Sequence, residues 1–128
     1  MKILKFGGTS VANSTNIKLV KQIVSQNNDS PIVVVVSAFG GITDLLLDSL
    51  ERAANQDASF NSGIAQLESK HLDTVRKLFP IAIQSGILSN VKSHLNNLET
   101  LLEGASLIGE ATPKLTDKVV SYGELLSS

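Results

Sequence analysis

Five consecutive β-branched residues, Ile32-Val33-Val34-Val35-Val36, follow Pro31. A strand covered on one face alternates apolar and polar side chains, so an unbroken run predicts a strand covered on both faces, as inside a parallel sheet. A second strand is predicted ahead of it over residues 2–6, where Ile3, Leu4 and Phe6 are apolar and Gly7-Gly8 ends the segment. Between the two, Asn13, Ser14 and Thr15 are candidate helix N-caps, because each side chain can accept from a free N–H of a first turn. Ile17, Val20, Ile23 and Val24 then recur at helical spacing up to the polar stretch 26–30. Strand, helix and strand in this order make a right-handed βαβ unit and place the chain in the α/β class.

The remainder reads as helical. Ile42, Leu45, Leu46, Leu50, Ala53 and Ala54 outline one helix, and small polar residues over 55–63 read as a loop. Another helix carries Phe60, Ile64, Leu67, His71, Val75 and Leu78 and stops at Pro80; a further one runs from about Leu88 through Val91, Leu95, Leu98 and Leu102 to Gly104. A last helix follows Thr112-Pro113, with Val119, Val120, Leu125 and Leu126 on its apolar side. No linker, repeat or low-complexity tract interrupts the pattern. Two parallel strands fall short of the roughly 4 to 6 of an ordinary sheet, and the last amphipathic pattern reaches Ser128 with no Gly or Asn stop. The expectation is the front part of a larger α/β domain.

Composition narrows the function. The chain has 128 residues, 42% of them hydrophobic and 18% charged, which is core material without a disorder signature. Eleven basic against twelve acidic residues, with 4% aromatics, argue against a nucleic-acid partner or a surface for stacking single strands. Without cysteine there is no disulfide, thiolate nucleophile or Cys-based zinc site. His71 and His94 read as packing or surface histidines, Lys92 and Glu99 as a solvated face, and no metal site is expected. The first residues are too charged for a signal peptide, and no run approaches the roughly 18 to 20 apolar residues of a membrane span. A cytoplasmic protein with no membrane partner is expected.

The known phosphate loops are absent. No G-x-G-x-x-G occurs, and the nearest P-loop spacing, Gly104 to Gly109, is followed by Glu110, whose charge would repel a phosphate. What remains is Lys5-Phe6-Gly7-Gly8-Thr9-Ser10 at the carboxyl end of the first strand, where open α/β sheets bind ligands. Glycines let backbone N–H groups approach an anion, the next helix turns its positive end there, and Lys5 supplies a point charge. An ordinary strand-to-helix turn uses the same glycines. The second strand repeats the arrangement with Ser37-Ala38-Phe39-Gly40-Gly41-Ile42-Thr43, so two adjacent strands each end in a glycine pair flanked by hydroxyls. A third segment, Ser121-Tyr122-Gly123-Glu124-Leu125-Leu126-Ser127-Ser128, puts a glycine inside an amphipathic helix, at a cost of roughly 1 kcal/mol against alanine. That points to close approach by a ligand or a neighbouring element; Glu124 beside it reads as an ammonium ligand or as a solvated side chain.

Together the segments resemble a family. Lys5-Phe6-Gly7-Gly8-Thr9-Ser10-Val11-Ala12 is similar to the opening signature of aspartate kinases, K-F-G-G-T-S-[VL]-[AG]. The run from Val34 to Leu46 resembles their V-V-S-A-x-x-x-[IV]-T-[DN]-x-L motif, and Ser121 to Ser127 their S-x-G-E-x-x-S motif, in family order over essentially the whole chain. The helical stretch between Asp44 and Ser121 is similar to the insertion of the longer forms, which include the kinase halves of bifunctional aspartokinase–homoserine dehydrogenases. The resemblance implies the amino-acid-kinase fold, a three-layer α/β/α sandwich around a mainly parallel sheet, of which this would be the N-terminal portion. Residues 1–56 would be the βαβ-α core, 57–111 the helical insertion and 112–128 the start of the G-E helix. It implies transfer of the γ-phosphoryl of ATP, with Mg²⁺ held through the phosphates, to the side-chain carboxylate of L-aspartate, at the head of lysine, threonine and methionine synthesis. Lys5, Gly7, Gly8, Thr9 and Ser10 would hold ATP, with Lys5 catalytic; Ser37, Gly41, Thr43 and Glu124 would bind aspartate. A homo-oligomer is implied for the full-length enzyme, and a segment of this extent is expected to be inactive alone.

Two other readings stay open on the residues. One is an amino-acid kinase acting on another acid, such as glutamate, N-acetylglutamate or carbamate. The other is a non-catalytic helical module whose working surface is residues 60–104.

Overall fold

A computed structural model describes all 128 residues. The order is β1 (Lys2–Phe6), α1 (Ser14–Gln26), β2 (Ile32–Val36), α2 (Ile42–Ala54), α3 (Phe60–Leu78), α4 (Ile81–Ile108) and α5 (Pro113–Ser127). β1 and β2 pair in parallel with Lys2 opposite Ile32 and Phe6 opposite Val36, and α1 makes the crossover.

Of the three candidate caps, Asn13 is the one used: its side chain accepts from the Asn16 N–H at 2.9 Å. Thr112 does the same for α5, accepting from Leu115 N–H at 3.1 Å, with Pro113 preset for the first turn. The 55–63 loop is shorter than expected, because α3 already starts at Phe60. Asp57 accepts from Ser59 N–H, and Arg52 bonds both the Asp48 carboxylate and the Ser59 hydroxyl, which folds the connection into a tight turn. α4 starts seven residues before the expected Leu88 and runs past Gly104 to a left-handed Gly109 at φ 79°. Pro80 therefore ends one helix and opens the next, since a ring without an N–H costs nothing at a helix start. Gly86 and Gly104 are tolerated inside.

The core is one cluster of 21 buried residues from Phe6 to Leu126, concentrated where α2, α3, α4 and α5 pack on one another. Leu46, Leu67, Leu98, Leu102 and Val119 are fully enclosed, each such side chain contributing roughly 1.5–3 kcal/mol over leaving it in water. Gly63 lets α3 lie directly on Ser49 of α2. α1 rests on α3 and buries no residue completely.

β2 corrects an expectation. Val33, Val34 and Val35 keep 40–44% of their surface exposed, so the strand is not covered on both faces within this chain. The β-branched run states what environment the strand suits; the cover has to come from elsewhere, and here the helices spend their apolar faces on each other.

Candidate active site

The site is built where the two strands end. Beyond Phe6 the chain turns at Gly7, whose carbonyl accepts from Ser10 N–H at 3.0 Å. Asn16 reaches back from α1 and donates to the Thr9 carbonyl at 2.8 Å, fixing the loop. Beyond Val36, Ser37 N–H donates to the Phe6 carbonyl, extending the parallel ladder by one rung. Ala38 and Phe39 turn inward and are buried, and Phe39 accepts from Ile42 N–H at the head of α2. Gly41 sits there at φ 82°, a left-handed conformation costly for a residue with a side chain.

The turns touch backbone to backbone. A Cβ on Gly8 would lie 3.4 Å from the Ala38 carbonyl, and one on Gly40 would lie 3.3 Å from the Gly8 carbonyl. α5 closes on the same point: a Cβ on Gly123 would come within 2.7 Å of the Ala38 Cβ, and the Ser127 hydroxyl donates to the Ser37 carbonyl. The glycine in α5 is thus there for a neighbouring element. Segments around residues 8, 38 and 123 converge on Ala38.

The convergence leaves donors free. No protein acceptor takes the N–H groups of Gly7, Gly8 or Thr9 in the first turn, or of Gly40 or Gly41 in the second. Lys5 is exposed on the last rung but one of β1, level with Val35, and makes no ion pair. Ser10, Ser37 and Thr43 are half-buried, Thr9 and Gly41 exposed. Free N–H groups of two glycine turns, the second of them at the start of α2, with a lysine on the adjoining strand, form a donor set for an anion. Glu124 is exposed and lines an open groove of about 580 Å³ with Val34, Val35, Val36, Ser121, Leu125 and Ser128. No three His, Asp or Glu side chains converge as ligands for a metal ion, and no helix is long and apolar enough to cross a membrane.

α3 supplies two neighbours that sequence reasoning did not attach to the site. Lys70 Nζ lies 3.4 Å from the Gly40 carbonyl, and the His71 ring stacks on Phe39 with centroids 4.7 Å apart. His71 is buried as a packing residue. Its Nδ1 is 2.7 Å from the Leu67 carbonyl, an acceptor only, so that nitrogen carries the proton; Nε2 is enclosed without a partner. Burial pushes the imidazole below the ordinary histidine range and nearby Lys70 adds to this, while the bond to Leu67 opposes it. The stripe of α3 placed His71 inside, but no local signal in the sequence marks Lys70. His94 packs edge-on against Tyr122 at 6.3 Å.

Comparison with known proteins bears on what these turns belong to. The model of the amino acid kinase family matches residues 1–128. The chain belongs to the amino acid kinase family. Within it, the chain is 36% identical over 124 residues to the chloroplastic bifunctional aspartokinase/homoserine dehydrogenase 1 of Arabidopsis thaliana, covering 97% of this chain and 14% of that protein. It is 33% identical over 129 residues to the chloroplastic aspartokinase 1 of the same plant, covering 98% and 22% respectively. Escherichia coli aspartokinase III, solved in complex with aspartate and ADP, superposes with a TM-score of 0.84 at 30% identity over 99% of this chain and 27% of that one. The fold is therefore that of the corresponding portion of an aspartokinase, with its parallel strands and helices in place. The amino-acid-kinase chain described here spans 14% to 27% of these relatives.

Proposed function

We propose that this chain carries the first ATP- and substrate-binding turns of an aspartate kinase, the enzyme that phosphorylates the side-chain carboxylate of L-aspartate. The observation that carries the reading is the convergence of Gly8, Gly40 and Gly123 on Ala38, which brings the three segments resembling aspartate kinase motifs to one place. The names of the relatives support it, as does the complex of the E. coli enzyme with aspartate and ADP.

In this reading Lys5 and the free N–H groups of Gly7, Gly8 and Thr9 take the ATP phosphates, with Ser10 adding a hydroxyl. Ser37, Gly41, Thr43 and Glu124 take aspartate, Glu124 through the substrate ammonium group. A side-chain carboxylate with a reference pKa of about 3.9 is already ionised at neutral pH, so the nucleophile needs no general base. One carboxylate oxygen attacks the γ-phosphorus, the bond to the β–γ bridging oxygen breaks, and ADP leaves with the electron pair. The barrier is repulsion between a carboxylate and a triphosphate, which positioned cationic and N–H donors lower. The donor set suits phosphate oxygens, and with no cluster of carboxylates in the chain Mg²⁺ fits as an ion that arrives on ATP and neutralises its phosphates.

The same reading makes residues 1–56 the nucleotide and substrate core, 57–111 an insertion and 112–128 the G-E helix, all within a longer enzyme that is homo-oligomeric and cytoplasmic. It places the reaction first in lysine, threonine and methionine synthesis. The test is Lys5→Ala in the full-length protein, assayed by aspartate-dependent ADP release beside a panel of other acids. The expected result is loss of at least about a hundredfold in kcat with unchanged thermal unfolding, since Lys5 is exposed. Near-normal turnover, or a better acid than aspartate, overturns the reading.

A further inference from the structure

The Gly40–Gly41 peptide is the joint between β2 and α2, and it is flanked by two residues without side chains. Rotation of this peptide plane meets less steric resistance than rotation beside any residue that carries a Cβ. Left to itself, the joint would present its carbonyl or its N–H to the cleft in turn. Three contacts hold it in one orientation. Gly40 faces Ala12 and the Gly8 carbonyl so closely that a Cβ would lie 3.3 Å from each, Phe39 is stacked on His71, and the Gly40 oxygen faces Lys70 Nζ at 3.4 Å. The last two come from successive residues of α3, in a different part of the fold and thirty positions along the chain.

The geometry points to Lys70 and His71 as positioning residues: together they clamp the Phe39-Gly40-Gly41 turn so that its carbonyl is turned to α3 and the Gly41 N–H, on the opposite edge of the same peptide plane, is turned away from α3. That N–H has no acceptor in the protein. Its fixed direction makes it a donor for the acid that accepts the phosphoryl group, which deepens the functional reading above and rests on it. Lys70 is half-buried, with its ammonium nitrogen 3.4 Å from that carbonyl. His71 is neutral and enclosed, and sets the depth of Phe39. Neither residue needs to touch substrate to act.

The clamp is tested in the full-length protein with Lys70→Met, which keeps the length of the side chain and removes the charge and the donor, and with Lys70→Arg. Two readouts are used. Amide exchange at Ile42, whose N–H is bonded to the Phe39 carbonyl across the turn, is expected to quicken by about tenfold in Lys70→Met, the effect of losing one hydrogen bond of roughly 1.4 kcal/mol, and to recover in Lys70→Arg. Unchanged exchange at Ile42, or faster exchange spread equally over α5, overturns the clamp whatever the activity. In the kinetic assay Lys70→Met is expected to raise KM for aspartate by about tenfold while KM for ATP stays within twofold. An equal rise in both constants, with no rescue by arginine, also overturns it. Absence of aspartate-dependent ADP release by the parent protein would count against the functional reading instead, and the exchange result would still decide the clamp.

Discussion

In the helical bundle Leu46, Leu67, Leu98 and Leu102 have no exposed surface at all, whereas Val33, Val34 and Val35 of β2 keep about two-fifths of theirs. Both sets of side chains are apolar, and they differ in what lies against them. Helices α2 to α5 satisfy one another, so stability is concentrated there. The sheet has a single pair of strands and carries the glycine turns at its end. The unpaired donors sit at the border between the two, on backbone that the bundle holds through Gly123, Lys70 and His71 but does not bury. A site for an anion needs this division, because donors spent on protein acceptors are lost to a ligand.

The sharpest way to break the comparison is a matched pair of truncations. Leu98→Ala removes a fully enclosed side chain and should cost about 2–5 kcal/mol, whereas Val34→Ala, with 40% of its surface exposed, should cost under about 1 kcal/mol, much of its burial gain never having been realised. Urea unfolding of the two variants measures both, and similar losses would show that the bundle and sheet share stability evenly. Gly123→Ala comes next. Its methyl would meet Ala38 at 2.7 Å, both atoms on stiff positions, and overpacking of this kind costs about 1–3 kcal/mol. The expected signature is a loss of activity larger than the loss in melting temperature, since Ala38 links both glycine turns; the reverse ranking would make Gly123 a matter of bundle packing alone.

The smallest effect is on pH. His71 binds its proton less readily folded than unfolded, so between its depressed folded value and the ordinary value near 6.5 the unfolded chain holds the extra proton. Stability is therefore full above about pH 6.5 and falls on acidification below it, by at most about 1.4 kcal/mol per pH unit. Urea midpoints at pH 7.5 and 5.5 should converge in His71→Gln relative to the parent; an identical acid loss in both would place the sensitive group elsewhere.

Much of this was legible in the chain. The strands announced themselves through β-branched and apolar runs, and two helix starts through the cap candidates 13–15 and the pair Thr112-Pro113, because these are local effects of backbone sterics and N–H satisfaction. The start of α4 was not legible, since Pro80 reads equally as a stop and as a first residue. The covering of β2 was misread, because a side chain records the environment it tolerates and not the neighbour that supplies it. The nearness of Gly8 and Gly40 followed from two adjacent strands ending in glycine turns, whereas the arrival of Gly123 at the same place could be inferred only through resemblance. The Lys70 contact to Gly40 has no local pattern at all: it depends on how α3 crosses the end of the sheet.

The bare valine strand has a practical consequence. β1 carries Lys2 and Lys5, charges that discourage a foreign strand from docking on it, but β2 offers five uncharged β-branched residues with Pro31 ahead of them as the only guard. Such a segment is the kind that stacks into intermolecular cross-β ladders when it is left uncovered. Produced by itself, the polypeptide should therefore be prone to self-association through Ile32–Val36 long before its helices unfold, and a lysine in place of Val34 would be the simplest gatekeeper.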